Sequence, residues 1–203
     1  KYVTDKDLPQ FIHSRFVDDI TLADRIIEFY HEHSCWHTEG RVKFVDGTVH
    51  SESLEGKNHK KSTEIYVSNQ LMMLPLFKEL NDQIQISLGE YLSIYPQCDN
   101  LARFYLGPYN IQYYKPREGY LAWHCDQPDG TEPFVSRVLV FLFYCHDIND
   151  GGGTEFLHQD YVSKSEKGKI IIFPPDWKFT HRGVASKWNE KMIATGWWNF
   201  QQN

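Results

Sequence analysis

The chain has 203 residues, of which 41% are apolar and 15% aromatic, and its formal net charge is −6. This length and apolar content suit one folded domain with a substantial core and exclude a disordered chain. The acidic balance provides no basic surface for a phosphate backbone, so nucleic acid is not an expected partner. No run of about twenty apolar residues occurs, and we therefore expect no membrane partner.

Four cysteines are scattered along the chain without CxxC spacing: Cys35, Cys98, Cys125 and Cys145. In a chain of this size the scatter does not indicate a disulfide framework. A reducing compartment, cytoplasmic or otherwise intracellular, fits this pattern and would also keep iron ferrous. The sequence begins with Lys1 rather than Met, so removal of a leader stays open.

The first half predicts two helices separated by one strand. Two aspartates precede residues 21–33, where apolar side chains recur at helical spacing, so we expect a capped amphipathic helix. Residues 71–95 predict a longer helix with Pro75 near its first turn and an apolar stripe along one side. Thr63–Val67 predicts a strand.

The polar segment 38–62 predicts a long mobile loop or a loose hairpin, with a tight turn at Asp46. Loops of this length are often functional, so this segment is a candidate flap that closes on substrate.

The second half predicts short strands separated by turn signals. They cover residues 104–106, 110–114, 121–126, 137–145, 154–157, 169–173, 180–184 and 191–200. Many short strands of this kind are typical of a sandwich or barrel.

The strongest functional signal lies in these strands. His124 and Asp126 are separated by one residue, and alternate side chains of a strand leave the same face, so one strand can offer both as metal ligands. His181 is the candidate third ligand. Two neutral imidazoles and a carboxylate leave three coordination positions open, which suits a non-heme Fe(II) ion.

Lys191, ten residues after His181, adds a second signal. On a strand its neighbours on the same face are Ile193, Thr195 and Trp197. An ammonium group among such side chains needs a partner, and a bound carboxylate can supply one.

The second half of the chain resembles the 2-oxoglutarate and Fe(II)-dependent dioxygenases, specifically their prolyl 4-hydroxylase-like branch. The family pattern is HxD, then a distal histidine, then a basic residue nine or ten positions later. Here those residues are His124, Asp126, His181 and Lys191. Arg137 and the GGGTEF segment fall where the family often has an arginine and GGxTxF. The match covers about residues 104–200, whereas the first hundred residues resemble the family only loosely.

The resemblance implies an α+β fold. Its core would be a double-stranded β-helix, or jelly-roll, over about residues 101–203, buttressed by helices in residues 1–100, the whole forming one domain. The implied cofactors are Fe(II), 2-oxoglutarate as cosubstrate and O2, with ascorbate as reductant.

The resemblance also assigns roles to residues. The metal ligands and catalytic residues would be His124, Asp126 and His181. The far carboxylate of 2-oxoglutarate would be held by Lys191 with help from the Tyr114 hydroxyl, Tyr113 being the adjacent alternative. Tyr144 and Trp197 would line the same pocket.

The implied activity is hydroxylation of an unactivated C–H bond, first of all in a prolyl residue of a peptide or protein. Trp123, Trp177, Trp188 and Tyr120 are available to line a groove for an extended proline-containing segment. Alternatives are the same chemistry on a free amino acid or other small molecule, or a cupin-like module that binds metal without catalysis. Demethylation of nucleobases is disfavoured by the acidic charge and by a lysine where that branch has arginines.

Three further features have plainer interpretations. The histidine-rich segment with His31, His33, Cys35 and His37 resembles a zinc site, but it lacks a carboxylate or CxxC companion, so we expect a solvated helix end. Arg137 is expected in a structural ion pair rather than on the cosubstrate. The glycine triplet has no following helix and no GK[ST], which favours a turn or bulge over a phosphate cradle.

Overall fold

The computed structural model of the protein describes residues 8–40, 42–43, 49–50, 60–99 and 103–201. Its helices are α1 (Thr21–Glu32), α2 (Pro75–Ile94) and α3 (Pro96–Asp99). Its strands are β1 (His13–Phe16), β2 (Thr38–Glu39), β3 (Val42–Lys43), β4 (Val49–His50), β5 (Thr63–Val67), β6 (Phe104–Leu106), β7 (Tyr109–Tyr114), β8 (Arg137–Tyr144), β9 (Thr154–Phe156), β10 (Tyr161–Ser163), β11 (Lys169–Phe173), β12 (His181–Gly183) and β13 (Lys191–Phe200).

Most of the chain forms antiparallel β-sheet. The larger sheet has the strand order β1-β11-β8-β13-β7-β5-β2, and β6 pairs with the far end of β13. A smaller sheet has the order β10-β9-β12. β8 and β11 are almost continuously apolar because both of their faces are buried. Few helices and mostly antiparallel sheet agree with the predicted jelly-roll.

The two faces of the larger sheet bury different sets of side chains. Phe141 and Phe143 of β8 share one buried cluster with α1 and α2, to which Phe77, Leu80 and Ile84 of α2 contribute. Side chains at the alternate positions of the strands join a second cluster with the smaller sheet. Each fully buried side chain of this size contributes about 1.5–3 kcal/mol to folding.

Several predicted bounds are confirmed. Thr63–Val67, Phe104–Leu106, Lys169–Phe173 and Lys191–Phe200 are strands over the predicted residues. Helix α1 begins at the predicted Thr21, whose backbone N–H donates to the Asp19 carboxylate at 2.9 Å. The second helix is interrupted near its start, because residues 71–73 form a 3-10 turn and Pro75 begins α2.

The predicted strand over residues 121–126 is wrong. This segment has no continuous ladder of hydrogen bonds, and its only β-pairing is the isolated bridge between His124 and His181. Outside residues 38–62, two strands of the described part of the chain were not predicted: β1, which pairs with the edge of β11, and β10.

The predicted flap lies mostly outside the described residues, as does its turn at Asp46. Of this segment, β2 pairs with β5, and β3 pairs with β4 in an antiparallel arrangement. Within the described part of the chain, no helix is both long and apolar enough to cross a bilayer.

Candidate active site

Three side chains predicted as metal ligands converge. His124, Asp126 and His181 each offer one ligand atom, and these atoms all lie within 4.8 Å of one another. The distance from His181 Nε2 to Asp126 Oδ2 is 3.7 Å. Among the residues that the structure describes, no other group of histidine, cysteine or acidic side chains meets in this way.

The backbone fixes the two histidines against each other. His124 N donates to His181 O at 3.0 Å, and His181 N donates to His124 O at 2.8 Å. Residues that face each other in an antiparallel pair place their side chains on the same side, and the two imidazole centroids are 4.3 Å apart. This bridge brings His124 and His181 together, whereas the predicted strand was expected to place His124 and Asp126 on one face.

The hydrogen bonds of the imidazoles suit a metal. His124 Nδ1 is 3.0 Å from Ala122 O, and His181 Nδ1 is 2.9 Å from Phe179 O. Because a carbonyl only accepts, Nδ1 is the donor in each contact, and Nε2 is the ring nitrogen left for a metal. Burial, together with the nearby His181, lowers the pKa of His124 to about 3, so this imidazole is neutral at physiological pH. Two imidazoles and one carboxylate fit Fe(II).

Arg137 and Tyr120 support the ligand residues through direct contacts. Arg137 Nη1 donates to the backbone oxygen of Asp126 at 2.6 Å, and its guanidinium carbon lies 3.6 Å from the Trp197 ring centroid. Tyr120 stacks on His124 with centroids 3.5 Å apart and an interplanar angle of 8°. The expected ion pair of Arg137 is not found among the described residues, and burial lowers the pKa of its guanidinium.

The three ligands open into a cavity of about 780 Å³. Its wall includes Lys191, Ile193, Thr195 and Trp197, so the predicted shared face of β13 is confirmed. The other side chains that line it include Lys60, Glu64, Asn110, Gln112, Tyr114, Tyr120, Trp123, Phe134, Arg137, Leu142, Thr154 and Thr180.

Lys191 is a buried cation at one end of this cavity, with 6% of its surface exposed. Its Nζ is 3.4 Å from Gly153 O and lies over the rings of Tyr114 and Tyr144, at 5.6 and 5.7 Å from their centroids. No carboxylate of a described residue pairs with it, and burial lowers its pKa to about 7. Because an unpaired buried charge is costly, this end of the cavity favours an incoming anion.

The tyrosines predicted near Lys191 occupy different places. Tyr114 lines the cavity, and its hydroxyl donates to Gln112 Oε1 at 2.6 Å. Tyr113 faces the other side of β7 and donates to Glu190 at 2.6 Å. Tyr144 is fully buried behind the wall, where its hydroxyl donates to Thr154 Oγ1 at 2.8 Å. Tyr114, and not Tyr113, therefore lines the cavity. Thr154 lines the wall where Tyr144 was expected to do so.

Several polar residues of the cavity wall were missed from the sequence, among them Gln112, Thr154, Lys60 and Glu64. Gln112 lies two positions before Tyr114 on β7, so strand alternation was the signal for it. Thr154 belongs to the GGGTEF segment. Lys60 and Glu64 form a buried ion pair at 2.6 Å, and no sequence pattern singled that pair out.

The four aromatic residues proposed for a groove divide into two pairs. Trp123 and Tyr120 line the cavity. Trp177 and Trp188 are not part of the cavity wall and expose 66% and 67% of their surfaces.

The remaining features have structural roles. His33 Nδ1 and His37 Nε2 each lie 2.8 Å from a backbone oxygen of α1, and His33 stacks on Phe29. In the glycine triplet, Gly151 and Gly152 have φ angles of +138° and +74°, as expected for a turn. All four cysteines are unpaired.

Comparison with known proteins agrees with this geometry. Residues 109–199 match the family model of the 2OG-Fe(II) oxygenase superfamily. A search of curated proteins finds no match to the sequence.

Solved structures of prolyl hydroxylases share the fold. A viral collagen prolyl hydroxylase from Paramecium Bursaria Chlorella virus-1, in its 2OG complex, aligns with a TM-score of 0.68 at 19% identity, over 95% of this chain and 97% of that one. A Trichoplax adhaerens prolyl hydroxylase bound to a peptide fragment of the hypoxia inducible factor oxygen degradation domain gives 0.66 at 14% identity, over 93% and 83%. A Pseudomonas putida prolyl-4-hydroxylase gives 0.61 at 13% identity, over 95% and 94%. Residues 109–199 thus resemble the 2OG-Fe(II) oxygenase superfamily, and nearly the whole chain shares the fold of the solved prolyl hydroxylases.

Proposed function

We propose that the protein is an Fe(II)- and 2-oxoglutarate-dependent dioxygenase. The observation that carries this proposal is the presence, in one cavity, of a triad of metal ligands and a buried ammonium group without a counter-ion. The triad includes the carboxylate of Asp126, and Lys191 in its ammonium form has one positive charge. A divalent metal at the triad and a dicarboxylate that reaches Lys191 match both ends at once.

His124, Asp126 and His181 would hold the metal through two Nε2 atoms and a carboxylate. When bound, Fe(II) with 2-oxoglutarate supplies oxidising chemistry in which dioxygen and the oxoacid become succinate and CO2 while one oxygen atom enters a C–H bond. The chain itself orients the reactants and excludes water. Arg137 contributes by fixing the Asp126 backbone.

Lys191 would hold the far carboxylate of 2-oxoglutarate. Thr154 and Tyr114 lie on the cavity wall beside it and offer hydroxyl groups to the same carboxylate. Because the ammonium group and the metal ligands are fixed on separate elements, their separation selects the length of the oxoacid. Trp197 would line the same cavity, with the Arg137 guanidinium stacked over its ring.

For the acceptor we infer a prolyl residue in a peptide or protein. Arg137 faces the cavity without an acidic partner among the described residues, so its remaining N–H groups are available to a peptide carbonyl. Trp123 and Trp197 offer aromatic surface to a pyrrolidine ring. The viral neighbour is a collagen prolyl hydroxylase, and the Trichoplax neighbour was solved with a peptide fragment.

We also infer that the chain works as one domain whose helices support the larger sheet. Side chains of α1 and α2 share a buried cluster with the sheet face opposite the cavity. This support would keep β13 and β7 in place behind the cosubstrate.

The test is incubation of the protein with Fe(II), 2-oxoglutarate and ascorbate in the presence of proline-rich peptides. We expect succinate, and a mass increase of one oxygen atom on a proline of the peptide. Peptides in which each proline is replaced by alanine are the matched control and should give no modified product. Succinate without a modified proline would contradict the prolyl acceptor, and failure to bind 2-oxoglutarate would contradict the dioxygenase itself.

A further inference from the structure

The hydroxyl of Tyr114 is already engaged inside the cavity. It lies 2.6 Å from Gln112 Oε1, both residues are buried, and both side chains leave the inner face of β7. A phenol has one proton and can also accept hydrogen bonds. Whether Gln112 presents its amide oxygen or its amide nitrogen to Tyr114 therefore decides where the Tyr114 proton points.

We infer that Gln112 is a positioning residue that aims the Tyr114 hydroxyl at the far carboxylate of the cosubstrate. The inference rests on the proposed function, in which Lys191 binds that carboxylate beside Tyr114. It adds a residue that touches neither the metal ligands nor the ammonium group.

The side-chain amide of Gln112 has the chemistry for this role. Its oxygen accepts from Tyr114 in the absence of cosubstrate. If the amide turns over, its nitrogen donates to the phenolic oxygen instead, and the Tyr114 proton is free to bind the carboxylate. The amide nitrogen has no hydrogen-bond partner among the described residues, so turning over breaks no other bond.

The residues opposite Gln112 on the neighbouring strands do not compete for its side chain. Glu64 lies directly opposite on β5, but its Oε1 takes the ammonium group of Lys60 at 2.6 Å and the hydroxyl of Ser62 at 2.7 Å. Ile193, opposite on β13, is apolar. Tyr114 is thus the one side chain among the described residues to which Gln112 is hydrogen-bonded.

The test measures 2-oxoglutarate affinity by calorimetry, without oxygen, on protein loaded with Mn(II) in place of Fe(II). Gln112→Met keeps the size of the side chain but neither accepts nor donates. It should weaken binding about three- to tenfold, the effect of one hydrogen bond. In the Tyr114→Phe background the same change should have less than a twofold effect, because the hydroxyl it acts on is gone. Gln85→Met, at an exposed amide of α2, is the matched control.

Two further measurements separate positioning from a general effect on folding. Gln112→Glu places a group that only accepts beside Tyr114, so it should weaken 2-oxoglutarate binding more than Gln112→Met does. Binding of 2-oxopentanoate, which lacks the far carboxylate, should be the same in wild type and in Gln112→Met. Mn(II) affinity should be equal in all variants.

Unchanged or tighter 2-oxoglutarate binding by Gln112→Met overturns the role of Gln112, as does an equal loss in the Tyr114→Phe background. Both outcomes leave the dioxygenase proposal intact, since wild type still binds 2-oxoglutarate. If wild type itself does not bind, the proposed function fails first.

Discussion

The two ends of the cavity are built in different ways. At the metal end, His124 and Asp126 lie on an irregular segment that a single backbone bridge ties to His181. At the other end, Lys191 begins a ten-residue strand in the middle of the larger sheet. The metal end offers two imidazoles and the carboxylate of Asp126, and the lysine end offers a buried amine without a carboxylate partner among the described residues. Each end therefore suits a different ligand, and the two ligands are expected to bind through separable contacts.

The largest effect should come from removing a metal ligand. His181→Ala deletes one imidazole, and we expect metal affinity to fall on the order of 100-fold or more, with loss of turnover. Calorimetry with Mn(II) measures the affinity. His31→Ala removes an exposed histidine from the histidine-rich segment of residues 31–37 and should leave metal binding unchanged. Equal affinities for wild type and His181→Ala would show that the metal lies elsewhere.

Removing the charge of Lys191 should weaken the binding of 2-oxoglutarate without weakening the binding of the metal. Lys191→Ala leaves the carboxylate of 2-oxoglutarate without its charged partner, so we expect affinity for the oxoacid to fall about 100-fold. Metal affinity should not change. Lys164→Ala, at an exposed lysine, provides the control. A parallel loss of metal binding by Lys191→Ala would mean that the two ends are not independent.

The pH dependence of 2-oxoglutarate binding should report on the same ammonium group. Burial lowers the pKa of Lys191 to about 7 in the free protein, and a bound carboxylate raises it again. Below pH 7 the ammonium form is already present, so affinity should be level. Above pH 7 binding must take up a proton, and affinity should fall about tenfold per pH unit.

Calorimetry between pH 6.5 and 8.5 measures this slope. Lys191→Arg keeps its charge over the whole range and should remove the dependence. A wild-type affinity that stays level above pH 7 would contradict the uncharged form of Lys191.

The smallest effect on 2-oxoglutarate binding is expected from a change at Tyr144, which is buried behind the cavity wall. Tyr144→Phe removes the hydroxyl that donates to Thr154 but keeps the ring beside Lys191. We expect the free energy of unfolding to fall by about 1 kcal/mol, the net contribution of one hydrogen bond. Affinity for 2-oxoglutarate should change less than threefold, whereas a larger change would place the hydroxyl of Tyr144 in contact with the cosubstrate. Tyr105→Phe, at an exposed tyrosine, is the control for denaturant unfolding.

The sequence predicted the lysine end better than the metal end. Along β13, alternation alone placed Lys191, Ile193, Thr195 and Trp197 on one face, and all four line the cavity. At the metal end the predicted residues do converge, but the strand predicted for their backbone is wrong, because the bridge between His124 and His181 joins segments far apart in the chain. Such pairing depends on tertiary structure rather than on local pattern.

Other errors have the same origin. β1 reads HSRF, a polar run that becomes a strand because the apolar β11 offers it an edge. Gln112 has no motif of its own, and its role depends on the hydroxyl that the fold places beside it. Strand order and the ion pair of Lys60 with Glu64 likewise depend on contacts between distant segments.

The paired backbone bonds between His124 and His181 have a consequence for how the protein would lose and regain a metal. They exist in the polypeptide itself, so chelation should extract the ion without unravelling the chain, unlike in small zinc domains that fold only around their metal. Inactivation by a chelator should then be reversible within mixing time. Which divalent ion occupies the triad in a cell would be decided by supply and coordination preference, not by a requirement of folding.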